Sequence, residues 1–113
     1  MIVNQGDLFW IALDGSDHNH PHVVIQDDAI NRSRVSTVVV CALTTNVRRA
    51  KAPGNVLLEA CEGNLPRQSI VVVSQVSTVE KTQLGEYIGS LSPQRIQQIL
   101  AGMQFLQEIT GPR

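Results

Sequence analysis

The sequence predicts a mainly β fold completed by one C-terminal α-helix, arranged as a small barrel. Three observations carry this. Apolar residues make up 42% of the 113-residue chain, yet only Phe9, Trp10, Tyr87 and Phe105 are aromatic. The core must therefore be built of Val, Ile and Leu, which suit packed strands. These residues occur in five or six short runs bounded by turn signals, and only the last segment changes to helical spacing. Such a succession of short strands capped by one amphipathic helix points to a small barrel.

Gly6–Leu13 reads as the first strand, set between Gly6 and the turn Asp14-Gly15. The second is expected over His22–Gln26, just after Pro21, which cannot donate to a ladder. Asp27–Arg34 is polar and has room for one helical turn. Val35–Leu43 is a nearly continuous apolar run, which suggests burial on both faces. Thr44–Asn55 reads as a long polar loop closing on Pro53-Gly54-Asn55. Val56–Glu59, Ser69–Thr78 and Tyr87–Ser90 complete the strands. In the final segment Ile96, Ile99, Leu100, Met103 and Leu106 share one helical face, with Ser92 as N-cap and Pro93 at the first helical position.

Length allows a single domain over 1–113, with no repeat and no linker. No apolar run approaches the roughly 20 residues of a bilayer span, and Met1–Gly6 lacks the regions of a signal peptide. The expected location is cytoplasmic. Cys41 lies in an apolar run and Cys61 before a turn, without metal-ligand spacing. The net charge of −1 hides an asymmetry. Residues 1–31 carry five acids and no Lys or Arg, while Arg32, Arg34, Arg48, Arg49 and Lys51 fall within 32–51, which holds no acid. That block fits a phosphate backbone, an acidic partner or a solvated face alike.

Chemistry could reside in three places. His18, His20 and His22 alternate along an extended stretch and so could converge on one face. A metal reading, with Asp17 nearby, is set aside because Pro21 bends the path and no downstream His or Cys completes a site. A proton shuttle is the sharper alternative, since imidazole titrates near neutrality. Local hydrogen bonding at a loop tip is the plainer one. Thr44, Thr45 and Asn46 end the third strand beside the basic loop, where hydroxyl and amide donors would hold a phosphate oxygen or simply make a turn. Ser74 and Gln75 interrupt an apolar strand, so at least one faces inward or lines a groove. Asp27-Asp28 reads as a turn or helix start rather than a catalytic pair. No phosphate-binding Gly-rich loop, HExxH or nucleophile elbow occurs.

Several segments, in order, resemble the MazF/PemK family of toxin endoribonucleases. They are Gly6-Asp7-Leu8-Phe9-Trp10, Pro21–Gln26 with Asp28 and Asn31, Val38–Thr44 with Asn46, Ala52–Val56, Leu65–Ser69, Ser74-Gln75, and Leu84-Gly85 with Gly89–Ser92. The resemblance covers nearly the whole chain. It implies an SH3-like barrel, a homodimer, an acidic cognate antitoxin, and metal-independent cutting of single-stranded RNA with no cofactor. The implied reaction is attack by the 2′-hydroxyl on the adjacent phosphorus, leaving a cyclic phosphate. The family's catalytic Thr maps onto Thr44, and Gln75 onto a position that helps to hold RNA. The family's catalytic Arg precedes the Pro of the second strand, where this chain has His20. His20 is therefore the expected acid–base residue beside Thr44. Asn19, His18, Thr45, Asn46, Arg48, Arg49, Lys51 and Gln75 are expected to bind substrate. A degenerate toxin that keeps only its antitoxin contacts, or a protein-binding toxin of the gyrase-poisoning kind, is the alternative.

Overall fold

The computed structural model describes residues 2–13 and 18–108. Its strands are β1 (Asp7–Ile11), β2 (His20–Val24), β3 (Thr37–Thr44), β4 (Val56–Leu58), β5 (Ser69–Glu80) and β6 (Tyr87–Ser90). They form one antiparallel sheet in the order β4-β5-β3-β2-β1-β6, curled into a half-barrel. A single helical turn, α1 (Asp28–Asn31), joins β2 to β3, and the long helix α2 (Pro93–Glu108) follows β6. The edge strands β4 and β6 are not paired to each other. The 3₁₀ turn Glu62–Asn64 packs on β6 instead, where a Cβ on Gly89 would lie 2.2 Å from the Gly63 carbonyl oxygen. Asn64 also donates its side-chain amide to the Ile88 carbonyl.

Apolar runs that are buried on both faces explain why so few strands show clean alternation. Successive residues point to opposite sides of a strand, and here both sides are covered. Leu8, Val23, Cys41, Leu43, Leu58, Val71 and Ile99 form one cluster, against which Ile96, Met103 and Leu106 of α2 pack. Phe9, Ile11, Val24, Val38, Val40 and Val79 form the other, with Val3 and Leu84. Each such side chain, fully buried, is worth about 1.5–3 kcal/mol. The Ser92 hydroxyl caps α2 by accepting from the Arg95 N–H at 3.2 Å. Gly102 lets α2 touch the turn before β4, since a Cβ there would meet the Gly54 oxygen at 2.1 Å.

The strand ends differ from the sequence reading by one or two residues in β1, β2, β3, β4 and β5, and three differences matter for the site. β2 starts at His20, so Pro21 lies inside it. That is tolerated because the ladder to β3 begins only at His22, opposite Ala42. β5 continues to Glu80, where it pairs with Thr37. The segment expected as a plain loop carries a 3₁₀ turn, Val47–Lys51, because Asn46 caps it.

Candidate functional site

The start of β2 and the end of β3 meet at one end of the sheet, and this brings His20 and Thr44 to the same place. The Thr44 hydroxyl oxygen accepts from the Asn46 N–H at 3.2 Å, which leaves its hydrogen to donate elsewhere. The Asn46 side chain itself accepts from the Arg48 N–H at 3.2 Å. The Asn46 side-chain oxygen is thus engaged in turn chemistry.

β5 supplies the next piece. Cys41 faces Val76 and Leu43 faces Val71, so Val72–Gln75 stand opposite Ala42 alone. This bulge takes Gln75 out of the regular ladder and turns it toward Thr44. It also releases the Val73 N–H, which Asn55 receives through its side-chain oxygen at 3.1 Å. The Asn55 amide in turn donates to the Arg49 carbonyl at 2.8 Å. One side chain therefore fastens the basic 3₁₀ turn to the bulge and sets where Arg49 stands.

Two hollows meet at His20, Leu43 and Thr44. The first, about 270 Å³, is bounded by Trp10, Asn19, Pro21, Thr45, Arg67 and Ser69, with Pro66 beside them. The second, about 240 Å³, is bounded by Leu13, His22, Ala42, Arg49 and Gln75. Of the expected site residues, His20, Thr44, Asn19, Thr45, Arg49 and Gln75 come together. His18, Arg48 and Lys51 are exposed and line neither hollow. Asp17 lies outside the described residues.

The histidines do not form one cluster. His20 is exposed at the junction, while His22 is buried below the second hollow. The His22 Nδ1 sits 2.8 Å from the His20 carbonyl oxygen. A carbonyl only accepts, so Nδ1 carries the hydrogen and Nε2 keeps its lone pair, which has no partner among the described residues. Burial holds this imidazole below its ordinary pKa. The bond to the His20 carbonyl opposes that shift, and the charge of His20 adds to it.

Residues 4–106 match the family model described as PemK-like, MazF-like toxin of type II toxin-antitoxin system. The chain belongs to this family. Endoribonuclease MazF6 of Mycobacterium tuberculosis is 33% identical over 109 residues, covering 92% of this chain and 96% of the relative. Endoribonuclease EndoA of Bacillus subtilis is 30% identical over 109 residues, covering 92% and 93%. In structure, an endoribonuclease from a mycobacterial species superposes with TM-score 0.80 at 21% identity, covering 99% of this chain and 97% of that one. A second, in complex with its cognate antitoxin, gives TM-score 0.78 at 22% identity and 98% coverage of each.

Within the family frame, four contributors were not singled out by the sequence. Arg67 and Ser69 border the first hollow, Trp10 walls it, and Asn55 positions Arg49. Arg67 was visible as a charge outside the basic block. Nothing local said that the turn before β5 would be brought beside Thr44.

Proposed function

We propose that this chain is the toxin of a type II toxin–antitoxin pair and cuts single-stranded RNA by internal transesterification. The observation that carries the proposal is the shared position of His20 and Thr44, which border both hollows at once. A phosphodiester across that junction has one nucleotide on either side.

His20 takes the proton from the 2′-hydroxyl. The 2′-oxygen forms a bond to phosphorus, the bond from phosphorus to the 5′-oxygen breaks, and the departing oxygen receives the proton that His20 took up. The products are a 2′,3′-cyclic phosphate and a 5′-hydroxyl. Thr44 donates its free hydroxyl hydrogen to a phosphate oxygen on which charge builds. Arg49, fixed through Asn55, faces the same charge from the second hollow. Side chains carry every proton in this scheme.

Arg48 and Lys51, exposed outside the hollows, are left to attract the RNA backbone or an acidic antitoxin segment. No helix among the described residues is long and apolar enough to cross a membrane. A cytoplasmic homodimer follows as part of the same proposal, by likeness to the family.

The test is incubation of the purified protein with a long single-stranded RNA in EDTA, with end-group analysis of the fragments. Cutting that leaves cyclic phosphates is expected. His20→Ala should slow it by about 10²–10⁴-fold, the usual worth of a placed acid or base, and Thr44→Ala should slow it as well. An unchanged rate in His20→Ala removes the role given to His20. An intact protein that cuts nothing would favour the non-catalytic reading.

A further inference from the structure

A third hollow, of about 390 Å³, opens where β1 pairs with β6. It shares no lining residue with the two hollows beside His20, and the RNA-cutting reading leaves it unused. Its volume lies within the roughly 300–1,000 Å³ of small organic ligand sites. Its apolar walls are the exposed Ile2, the buried Phe9 and the exposed ring of Tyr87. The two rings stand at 66° with centroids 5.6 Å apart, so they meet at a corner rather than stack. Gly85 adds no side chain, and a Cβ there would strike the Trp10 carbonyl oxygen at 2.3 Å.

Into this apolar frame the fold sets one buried acid. Asp7 is only 4% exposed, and its carboxylate accepts from the Ser90 hydroxyl at 2.6 Å and from the Asn4 N–H at 2.9 Å. A carboxylate only accepts, so the Ser90 hydrogen is committed to Asp7. The Ser90 oxygen, 2.8 Å from the Tyr87 hydroxyl oxygen, then accepts the Tyr87 hydrogen. Both hydroxyl hydrogens therefore run inward toward Asp7, and oxygen lone pairs are what these groups keep for a ligand. Only Asn4, whose amide oxygen is taken by Arg32, keeps a side-chain donor at the rim. Buried charges are ordinarily paired. Yet the single ion pair among the described residues is Arg95–Glu62, and no described Lys or Arg lines this hollow. A further acid, the exposed Glu86, stands between Gly85 and Tyr87.

We propose that this hollow binds a small primary aliphatic amine in its protonated form. An ammonium has three hydrogens to donate and no lone pair to set against the oxygens. It supplies the cation that the buried carboxylate lacks, and the exposed Tyr87 ring adds a π face for it. The alkyl chain lies along Ile2 and Phe9. The site goes beyond the RNA-cutting reading and does not depend on it.

The probes are hexylammonium, butylammonium, hexanol and hexanoate, each titrated into ¹⁵N-labelled protein at fixed pH and ionic strength. Hexylammonium should shift the amide signals of Asp7, Gly85, Tyr87 and Ser90 saturably, whereas hexanol and hexanoate should not. Butylammonium should bind up to about 14-fold more weakly, each of the two missing methylenes being worth about fourfold. Asp7→Asn keeps the size of the side chain and removes its charge, and should weaken hexylammonium by at least about tenfold. Because Asp7 also holds Ser90 and the Asn4 N–H, the exposed Tyr87 gives a second reading that spares the interior. Tyr87→Leu should weaken the amine by about 2- to 5-fold, and Tyr87→Phe, which keeps the ring, should restore most of that loss. Hexanol binding as tightly as hexylammonium overturns the proposal, as does affinity that survives Asp7→Asn unchanged or the absence of any shift at these amides. Nα-acetyl-lysine amide carries the same ammonium on a peptide unit. Tighter binding of that probe than of hexylammonium would give the hollow to a protein side chain and overturn the assignment to a free amine.

Discussion

Leucine at position 22 should make the protein more resistant to mild acid. The buried His22 imidazole is held below its ordinary value, chiefly by desolvation. A lowered folded-state pKa means that below about pH 6.5 the unfolded chain binds the proton more readily than the folded one. Stability from this group is thus complete above about pH 6.5 and is lost as pH falls toward the lowered folded-state value. The slope can reach about 1.4 kcal/mol per pH unit for one proton. His22→Leu removes it, so the variant should gain on the parent as pH falls from 6.5 to 5.5, by at most about 1.4 kcal/mol. Near pH 7.5 two other effects oppose each other. The bond to the His20 carbonyl, worth about 0.5–1.5 kcal/mol, is lost, and an unpaired buried nitrogen costing about 1–3 kcal/mol is removed. The variant should be at least as stable there. Asp28 and Glu62, whose carboxyls are held low by the Gln5 N–H and by Arg95 respectively, are common to both proteins and cancel in the comparison. His20 and Arg49 also border this hollow and are unchanged in the variant. The assay is urea unfolding followed by circular dichroism at pH 5.5, 6.5 and 7.5, at one protein concentration. Parallel pH profiles for parent and variant would refute the reasoning.

Asn55→Ala should cost about 1–3 kcal/mol in the same unfolding assay, because the Arg49 carbonyl and the Val73 N–H both lose a partner. It should also raise KM for RNA by releasing the basic turn, and an unaffected KM would mean that Asn55 does not set Arg49. Arg49→Ala should lower kcat, whereas Arg48→Ala and Lys51→Ala should mainly weaken binding, since only Arg49 borders the site. In a salt titration of binding, each of the three replacements should flatten the slope by about one unit, and unchanged slopes would assign the block to another partner. Iodoacetamide at pH 8 should modify the exposed Cys61 and spare Cys41. Burial pushes the Cys41 thiol up to about 12, and it donates to the Val72 carbonyl at 3.0 Å. Mass spectrometry showing two labels on folded protein would contradict this.

Much of the strand pattern was legible because burial imposes periodicity on local sequence. In the apolar run Val38–Leu43, Val38 and Val40 join one buried cluster and Cys41 and Leu43 the other. Ile96, Ile99 and Met103 recur at helical spacing because one face of α2 covers the sheet. His20 and Thr44 were named through the family resemblance, His20 from its place before Pro21 and Thr44 from its place at the end of the third strand.

The other half of the site depends on pairing between distant segments. Whether His22 would lie exposed beside His20 or buried below it was decided by its place opposite Ala42 and the cover on that face. Gln75 and Asn55 acquire their roles from a bulge in β5, which exists only relative to β3. Arg67 and Trp10 share a hollow because the turn before β5 and the outer half of β1 converge on one end of the curled sheet. By itself the sequence determined which segments are strands or helix and which residue types stand at their ends. The tertiary structure decided which of those ends meet, because register and sheet curvature arise from long-range pairing that local periodicity does not encode.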